Sequence, residues 1–347
     1  MSDRWVGFGQ IPHVPLAELP TPVVAIPSLS ARSGAEIWVK RDDLSGREYG
    51  GNKVRKLEYI FGEAIARESD TIITCGAAGS HHALATARFA EALGLKLHVV
   101  SFPQLWSTHA EEQLRALLSA GGQVHPVRSG ALTIPTMQGL AARLRLKRRR
   151  PYVVAPGGSS VPGVIGHVEA GLELARQIEA GVVPEPDAIF LAFGTGGTLA
   201  GLAIGLAASG ITTKLVGVRV VPRVVANAGR VRSLISRTVQ HLRSLDKRFP
   251  DVSATARTLI EIDGAELGAG YGAPTAAASN ATRLAREHGE LVLDQTYTSK
   301  AFASLLRQAS AERAGQTLLF VHTLSSAKEN LGARPPLPAS LRKLLTR

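Results

Sequence analysis

Six short apolar runs alternate with longer amphipathic stretches, and that alternation constrains the fold more than any other feature of this chain. The runs are "TIITCGA" (71–77), "KLHVVSF" (96–102), "YVVAP" (152–156), "AIFLAFG" (188–194), "KLVGVRVV" (214–221) and "TLLFVHT" (317–323), and they read as buried strands. Between them the apolar periodicity predicts helices over 81–93, 132–147, 163–180, 198–209, 228–245, 275–288 and 299–313. Strand–helix alternation of this kind predicts an α/β protein, with parallel sheets covered by helices. In open parallel sheets ligands bind beyond the carboxyl ends of the strands. The loops that follow strands are therefore the informative ones: "GAAGSHH", "PGGSS", "GTGGT" and "HTLSS". Residues 53–160 are expected to form a smaller unit, with 1–52 and 161–347 supplying a larger one.

The 347 residues suffice for two modest domains or one large α/β unit. Only 5% of the chain is aromatic, so the core must be built mainly from Ala, Leu, Val and Ile. A single cysteine, Cys75, excludes an internal disulfide framework and a cysteine-based zinc site. A reducing, cytoplasmic setting is the simplest reading. No apolar run reaches the length of a membrane span, so no membrane partner is expected. The net charge of +12 raises the question of nucleic acid. However, the arginines are scattered, and the one dense run, "RLRLKRRR" at 143–150, closes a predicted helix, where basic residues suit the dipole. No nucleic-acid partner is expected; the excess charge favours anionic ligands.

In "YGGNKVRKLEY" (49–59) two glycines and an asparagine precede Lys53, an order that a backbone approaching a ligand closely would need. From Lys53, the positions Leu57, Ile60, Phe61, Ala64 and Ile65 follow one helix face, while Arg55, Glu58 and Glu63 fall on others. A lysine aimed toward a core at the positive end of a helix has its pKa lowered by desolvation and by the dipole. It then suits Schiff-base chemistry. A first-turn lysine snorkelling to solvent fits the same spacing, and spacing alone does not separate the two.

In "FGTGGTLAG" (193–201), Gly194, Thr195, Gly196, Gly197 and Thr198 offer backbone N–H groups and hydroxyls at a helix N-terminus, which suits a phosphate. Leu199 stands where a dinucleotide fingerprint needs its third glycine, and no P-loop lysine follows. A glycine-rich turn without a ligand fits the pattern as well. In "GAAGSHHALATA" (76–87) Ser80 is a plausible N-cap. His81 and His82 point in different directions on a helix, with no carboxylate three or four residues on, so no metal site is expected. Tyr271 and Tyr297 fall in loops, where tyrosines act as acid–base groups or close a pocket.

A reactive lysine, a phosphate-cradling loop and no nucleotide fingerprint together suggest pyridoxal phosphate. "KRDDLSGREYGGNKVRKLEY" (40–59) resembles the cofactor-lysine segment of the D-cysteine desulfhydrase/aminocyclopropane-carboxylate deaminase family, which are pyridoxal-phosphate enzymes of the tryptophan-synthase-β-like fold. The resemblance continues in order through "TIITCGAAGSHH", "APGGSS", "GTGGTLAGLAIGL", "GYGAP", "LDQTYTSKA" and "LLFVHT". It implies two domains, each a mostly parallel twisted sheet with helices on both faces, and the cofactor in the cleft between them. It implies that Lys53 holds the cofactor and shuttles the Cα proton, and that Gly194, Thr195, Gly196, Gly197 and Thr198 hold its phosphate. By the same resemblance Ser80 faces the substrate, Tyr271 and Tyr297 are the active-site tyrosines, Thr323 lies near the pyridine nitrogen, and Asn52 belongs to the lysine motif.

The chain departs from the family on the substrate side. Where the family reads Gln-Ser-Asn it has Gly79, Ser80 and His81, and His81 stands where an asparagine contacts the cofactor's phenolic oxygen. "HTLSS" replaces His-Thr-Gly-Gly. Thr298 stands where the ring-opening deaminases carry glutamate and so matches the desulfhydrase branch. The implied activity is a lyase reaction, α,β-elimination from a D-cysteine-like amino acid to pyruvate, ammonia and sulfide, by a homodimer. Deamination, β-replacement or biosynthetic tailoring of another amino acid is the second reading, and a non-catalytic phosphate- or pyridoxal-phosphate-binding protein the third.

Overall fold

A computed structural model describes residues 6–326 and 336–346. Its strands are β1 (Val23–Ala25), β2 (Glu36–Lys40), β3 (Thr71–Ala77), β4 (Lys96–Phe102), β5 (Gln104–Leu105), β6 (Gln123–Pro126), β7 (Pro151–Val153), β8 (Ala188–Phe193), β9 (Lys214–Arg219), β10 (Ile260–Asp263), β11 (Thr317–Val321) and β12 (Leu345–Thr346). They form a six-stranded sheet in the order β1-β2-β11-β8-β9-β10 and a four-stranded sheet in the order β6-β4-β3-β7, with β12 paired to β5. Every pairing is parallel except β1 with β2. A parallel pair needs a crossover, usually a helix, which is why the apolar runs are spaced by helical stretches.

Each of the six expected runs is a strand. β8 is buried along almost its whole length, as a strand covered on both faces must be. The Val161–Glu179 and Gly197–Ala208 helices pack on one face of the large sheet, in a core with Val164, Val168, Leu202 and Ile204. The Thr298–Ala309 helix packs on the other, where Phe302 meets Phe320 of β11. The smaller sheet has its own core, which includes Leu84, Val99 and Leu114. Leu337, Leu341 and Leu344 from the end of the chain join that core. Among the described residues no helix is long and apolar enough to cross a membrane.

The Asn52–Ala66 helix differs from its expected amphipathic form. Leu57, Ile60, Phe61 and Ala64 are buried, but so are Arg55 and Glu58, which were expected on other faces, and Ile65 is exposed. The helix is enclosed on nearly every side. Arg55 is accommodated because its guanidinium meets Asp42 (Nη2 to Oδ1, 2.8 Å) and Glu173 (Nη1 to Oε2, 3.0 Å). Glu58 accepts backbone N–H groups from Leu16 and Ala17, both at 2.9 Å.

The glycines before Lys53 also answer to contacts within the protein. A side chain at Gly50 would come within 2.3 Å of the Asp43 carbonyl, and one at Gly51 within 2.6 Å of the Thr323 carbonyl. Gly51 has φ +81°, which an L side chain rarely adopts. The close approach is therefore between two protein segments, 43–51 and 323–325. Gly50 N–H donates to Ser325 Oγ at 2.8 Å and Asn52 N–H to the Thr323 carbonyl at 3.2 Å, so the "HTLSS" serines stitch the end of β11 to the lysine loop.

Candidate active site

The carboxyl ends of β3, β8 and β11 and the start of the lysine helix converge on a cavity of about 520 Å³. Asn52, Lys53, Ser80, His81, Gly194, Thr195, Gly196, Thr198, Tyr271, Tyr297 and Thr323 all line it. Gly197 is the one sequence-predicted site residue outside the wall; its N–H donates to Ser159 Oγ at 3.1 Å. Lys53 Nζ donates to Asn52 Oδ1 at 2.8 Å, and Asn52 Nδ2 donates to Thr198 Oγ1 at 2.9 Å. Asn52 thus ties the lysine amine to the glycine-rich loop. Burial pulls the Lys53 pKa down to about 8, partly opposed by the negative charge of Asp294. The neutral amine, the nucleophilic form, is accordingly about a tenth of the population at pH 7, where an ordinary lysine has far less than a hundredth.

The glycine-rich loop is a cup of donors. Gly196 takes φ +89° at the N-cap of the Gly197–Ala208 helix, which points that helix's free N–H groups into the loop. Thr195 Oγ1 and Ser159 Oγ lie 2.6 Å apart across it. Lys56, one helical turn beyond Lys53, enters from the other side and donates to the Gly157 carbonyl at 3.2 Å. Its pKa is driven well below the usual lysine value, by burial first and then by the charges of Lys53 and Arg230. Among the described residues Asp294 is the only carboxylate in the cavity wall, so the cations here have little negative charge to offset them. Buried His82 adds a nitrogen, Nδ1, that has no hydrogen-bond partner among the described residues.

The opposite wall carries acid–base groups. Ser80 caps the His81–Ala92 helix, accepting from Ala83 N–H at 3.3 Å. Tyr271 and Tyr297 join their hydroxyls at 2.8 Å. Burial raises the pKa of both, well above the ordinary value for Tyr297, where Tyr271 adds to the effect, so both stay protonated. Asp294 holds Tyr297 in place. Its carboxylate accepts N–H groups from Thr296 (3.0 Å), Tyr297 (2.8 Å) and Thr298 (3.0 Å), and the Thr298 hydroxyl at 2.7 Å. Thr298 itself is buried behind the wall and does not line the cavity. Among the described residues no group of three or more histidines, cysteines or carboxylates is placed to hold a metal ion.

The family model described as "Pyridoxal-phosphate dependent enzyme" matches residues 14–323. The chain belongs to the pyridoxal-phosphate-dependent enzymes. A D-cysteine desulfhydrase from Salmonella newport is 36% identical over 90% of this chain and 94% of that protein. A Pyrococcus furiosus protein, provisionally assigned as a 1-aminocyclopropane-1-carboxylate deaminase, is 35% identical over 91% of this chain and 92% of its own length. A crystal structure described as that of a 1-aminocyclopropane-1-carboxylate deaminase homologue superposes with a TM-score of 0.81 at 30% identity, covering 93% of this chain and 94% of the other. This pyridoxal-phosphate-dependent enzyme is therefore of the deaminase/desulfhydrase type, with the fold those relatives share.

The donor set fits pyridoxal phosphate. A phosphate dianion in the cup would neutralise the crowded charges of Lys56 and Arg230 and give the helix N-terminus its anion. Lys56 was not singled out from the sequence, although its spacing from Lys53, three residues along one helix, put both amines on adjoining faces. Asp294 was also missed. Its signal was the "D-x-x-x-T" start of a helix, an ordinary capping pattern. A Lys56→Ala variant is expected to need about 10–100-fold more pyridoxal phosphate for half-saturation, as loss of a charged hydrogen bond implies. Fluorescence titration of the cofactor-free chain measures this, and an unchanged midpoint would remove Lys56 from the phosphate site.

Proposed function

We propose that the chain catalyses α,β-elimination from a small D-amino acid of the D-cysteine kind, releasing pyruvate, ammonia and a thiolate. The observation that carries this reading is the arrangement beside Tyr297. Thr298, not a carboxylate, follows that tyrosine, and the nearby Asp294 is tied up by four hydrogen bonds from 296–298. Among the described residues no carboxylate other than this hydrogen-bonded Asp294 lines the cavity with the tyrosine pair. The likeness to a D-cysteine desulfhydrase supports the same substrate class.

In this reading Lys53 holds the cofactor, Thr195, Thr198, the N-terminus of the Gly197–Ala208 helix and Lys56 hold its phosphate, and Thr323 lies at its ring. When bound, the cofactor supplies an electron sink for the charge that develops at the substrate Cα. The Lys53 amine takes the Cα proton, which a pKa near 8 allows at physiological pH. Ser80 and the first N–H groups of the His81–Ala92 helix receive the substrate carboxylate. The protonated hydroxyls of Tyr271 and Tyr297 donate to groups that gain charge as the β-substituent departs. We read residues 53–160 as the smaller unit and 1–52 with 161–347 as the larger; the placement of β3, β4, β6 and β7 within 71–153 supports that division.

The test is product analysis of the purified, cofactor-loaded enzyme. D-cysteine is expected to give pyruvate and sulfide in equal amounts, with L-cysteine and 1-aminocyclopropane-1-carboxylate turned over at least tenfold more slowly, roughly the discrimination of a site lacking a needed contact. Formation of 2-oxobutanoate from the cyclopropane as the faster reaction would replace elimination by ring-opening deamination.

A further inference from the structure

His81, which departs from the family pattern, does not stand alone. Its Nδ1 lies 3.2 Å from the Tyr49 hydroxyl, and its Nε2 lies 3.1 Å from Nε2 of His109. The two imidazoles are 4.9 Å apart between centroids and tilted by 36°. Tyr49 is almost fully buried and lines the cavity three residues before Asn52. His109 is exposed, in the first turn of the Thr108–Ser119 helix, and lines a separate outer mouth that Tyr49, His81, Tyr271 and Tyr297 also reach. Three titratable side chains thus form a continuous hydrogen-bonded line from the inner wall to water.

We propose that Tyr49, His81 and His109 form a proton relay that joins the substrate cavity to solvent, with the Tyr49 hydroxyl as its inner terminus. This rests on the reading of the cavity as an amino-acid site. In the inward direction the Tyr49 O–H proton passes to a basic atom in the cavity. His81 Nδ1–H passes to the Tyr49 oxygen, His109 Nε2–H passes to His81 Nε2, and His109 Nδ1 takes a proton from water. One proton enters the cavity, one hydroxide remains in bulk, and no electron changes owner. The outward direction runs through the same bonds reversed, leaving both histidines in their other tautomer.

The surroundings favour passage over storage. Burial drives the His81 pKa down to about 4, with His109 and Lys53 lowering it and Asp294 raising it. The groups that face His81 are Asp294 and Tyr297 from the 294–297 turn, Lys53 and Tyr49 from the lysine segment, and His109 from its own helix. His81 also sits in the first turn of its helix, where the dipole disfavours an imidazolium. A neutral imidazole passes a proton by exchanging tautomers, without holding a charge. The relay gives the cavity that Lys53 lines a route for proton exchange with water.

His109→Ala is the primary test, because an exposed side chain can be removed without disturbing the core. Its kcat is expected to fall about 100-fold with D-cysteine, and added imidazole should restore it in a saturable manner while KM stays within about twofold. A kcat that falls but does not respond to imidazole would overturn the relay and leave His109 a packing residue. A second arm is independent of turnover. In the cofactor-free chain labelled with ¹⁵N-histidine, both rings should show one protonated and one bare nitrogen at neutral pH. Tyr49→Phe should shift the His81 Nδ1 resonance and change the His109 tautomer ratio. His109 signals indifferent to Tyr49→Phe would overturn the relay. If coupling is present but no amino acid is turned over, the relay stands and the proposed activity fails.

Discussion

Replacing Lys53 with alanine is expected to lower kcat by at least about 10³-fold, because one amine both anchors the cofactor and moves the substrate proton. Borohydride reduction after incubation with pyridoxal phosphate should leave a pyridoxyl group on the peptide carrying Lys53 in the wild-type chain, and none in the variant, as mass spectrometry would show. A variant still modified elsewhere in the cavity, at Lys56 for instance, would reassign the anchor. The pH dependence follows from the cavity. An ordinary lysine has a pKa of 10.5, whereas burial brings Lys53 to about 8. The neutral, reactive fraction therefore grows as pH rises through about 8 and is nearly complete a pH unit or more above it. Covalent capture of pyridoxal phosphate by the cofactor-free chain should show its half-maximal rate near that pH. A midpoint near 10 would mean that Lys53 is solvated, and the buried amine would have to be abandoned.

Much of this site is legible in the sequence, and the reason is topological. In parallel sheets the carboxyl ends of strands point the same way, so "GTGGT" and "HTLSS" meet at the ends of the neighbouring β8 and β11, whereas "GAAGSHH" follows β3 of the smaller sheet and joins them at the cavity. Those strands were recognised because they are internal and continuously apolar. β2, "EIWVK", is equally internal, between β1 and β11, yet its charged ends disguise it. Lys40 tolerates its buried place because it meets Glu173, a residue 133 positions away, together with the Thr21 carbonyl and Gln177. β10, "IEID", is an edge strand with half-buried residues throughout, and such strands lack a strong periodic signal. The same limit applies within the cavity. His109 and Tyr49 acquire meaning only from His81, which lies 28 and 32 residues from them. The reason for Gly51 lies in the backbone at 323–325, which sequence spacing alone does not bring near.

Arg55→Met is expected to destabilise the chain by about 3–5 kcal/mol at neutral pH, the usual penalty for removing one partner of a buried ionic cluster. Arg55 is fully buried two residues after Lys53 and meets Asp42 and Glu173, while Lys40 meets Glu173, the Thr21 carbonyl (2.7 Å) and Gln177 (2.8 Å). The cluster pins the lysine helix to the 42–44 turn and to the Val161–Glu179 helix, so it also fixes where Lys53 points. Methionine fills much of the same volume, and the loss then reports charge more than cavity. The sign of the pH effect separates the two. Burial alone would raise the pKa of Asp42 and Glu173, but Arg55 and Lys40 hold both below their ordinary values. In the wild-type chain these carboxylates therefore contribute stability that is fully present above the ordinary carboxylate range. That stability is lost as pH falls through their lower folded values. Without Arg55, burial dominates and their folded pKa values rise, so protonation relieves the variant at a pH where it still penalises the wild type. Urea denaturation should show the stability gap narrowing as pH falls from neutral toward about 4. A gap that stays constant over that range would assign the loss to packing of the arginine stem and not to its charge.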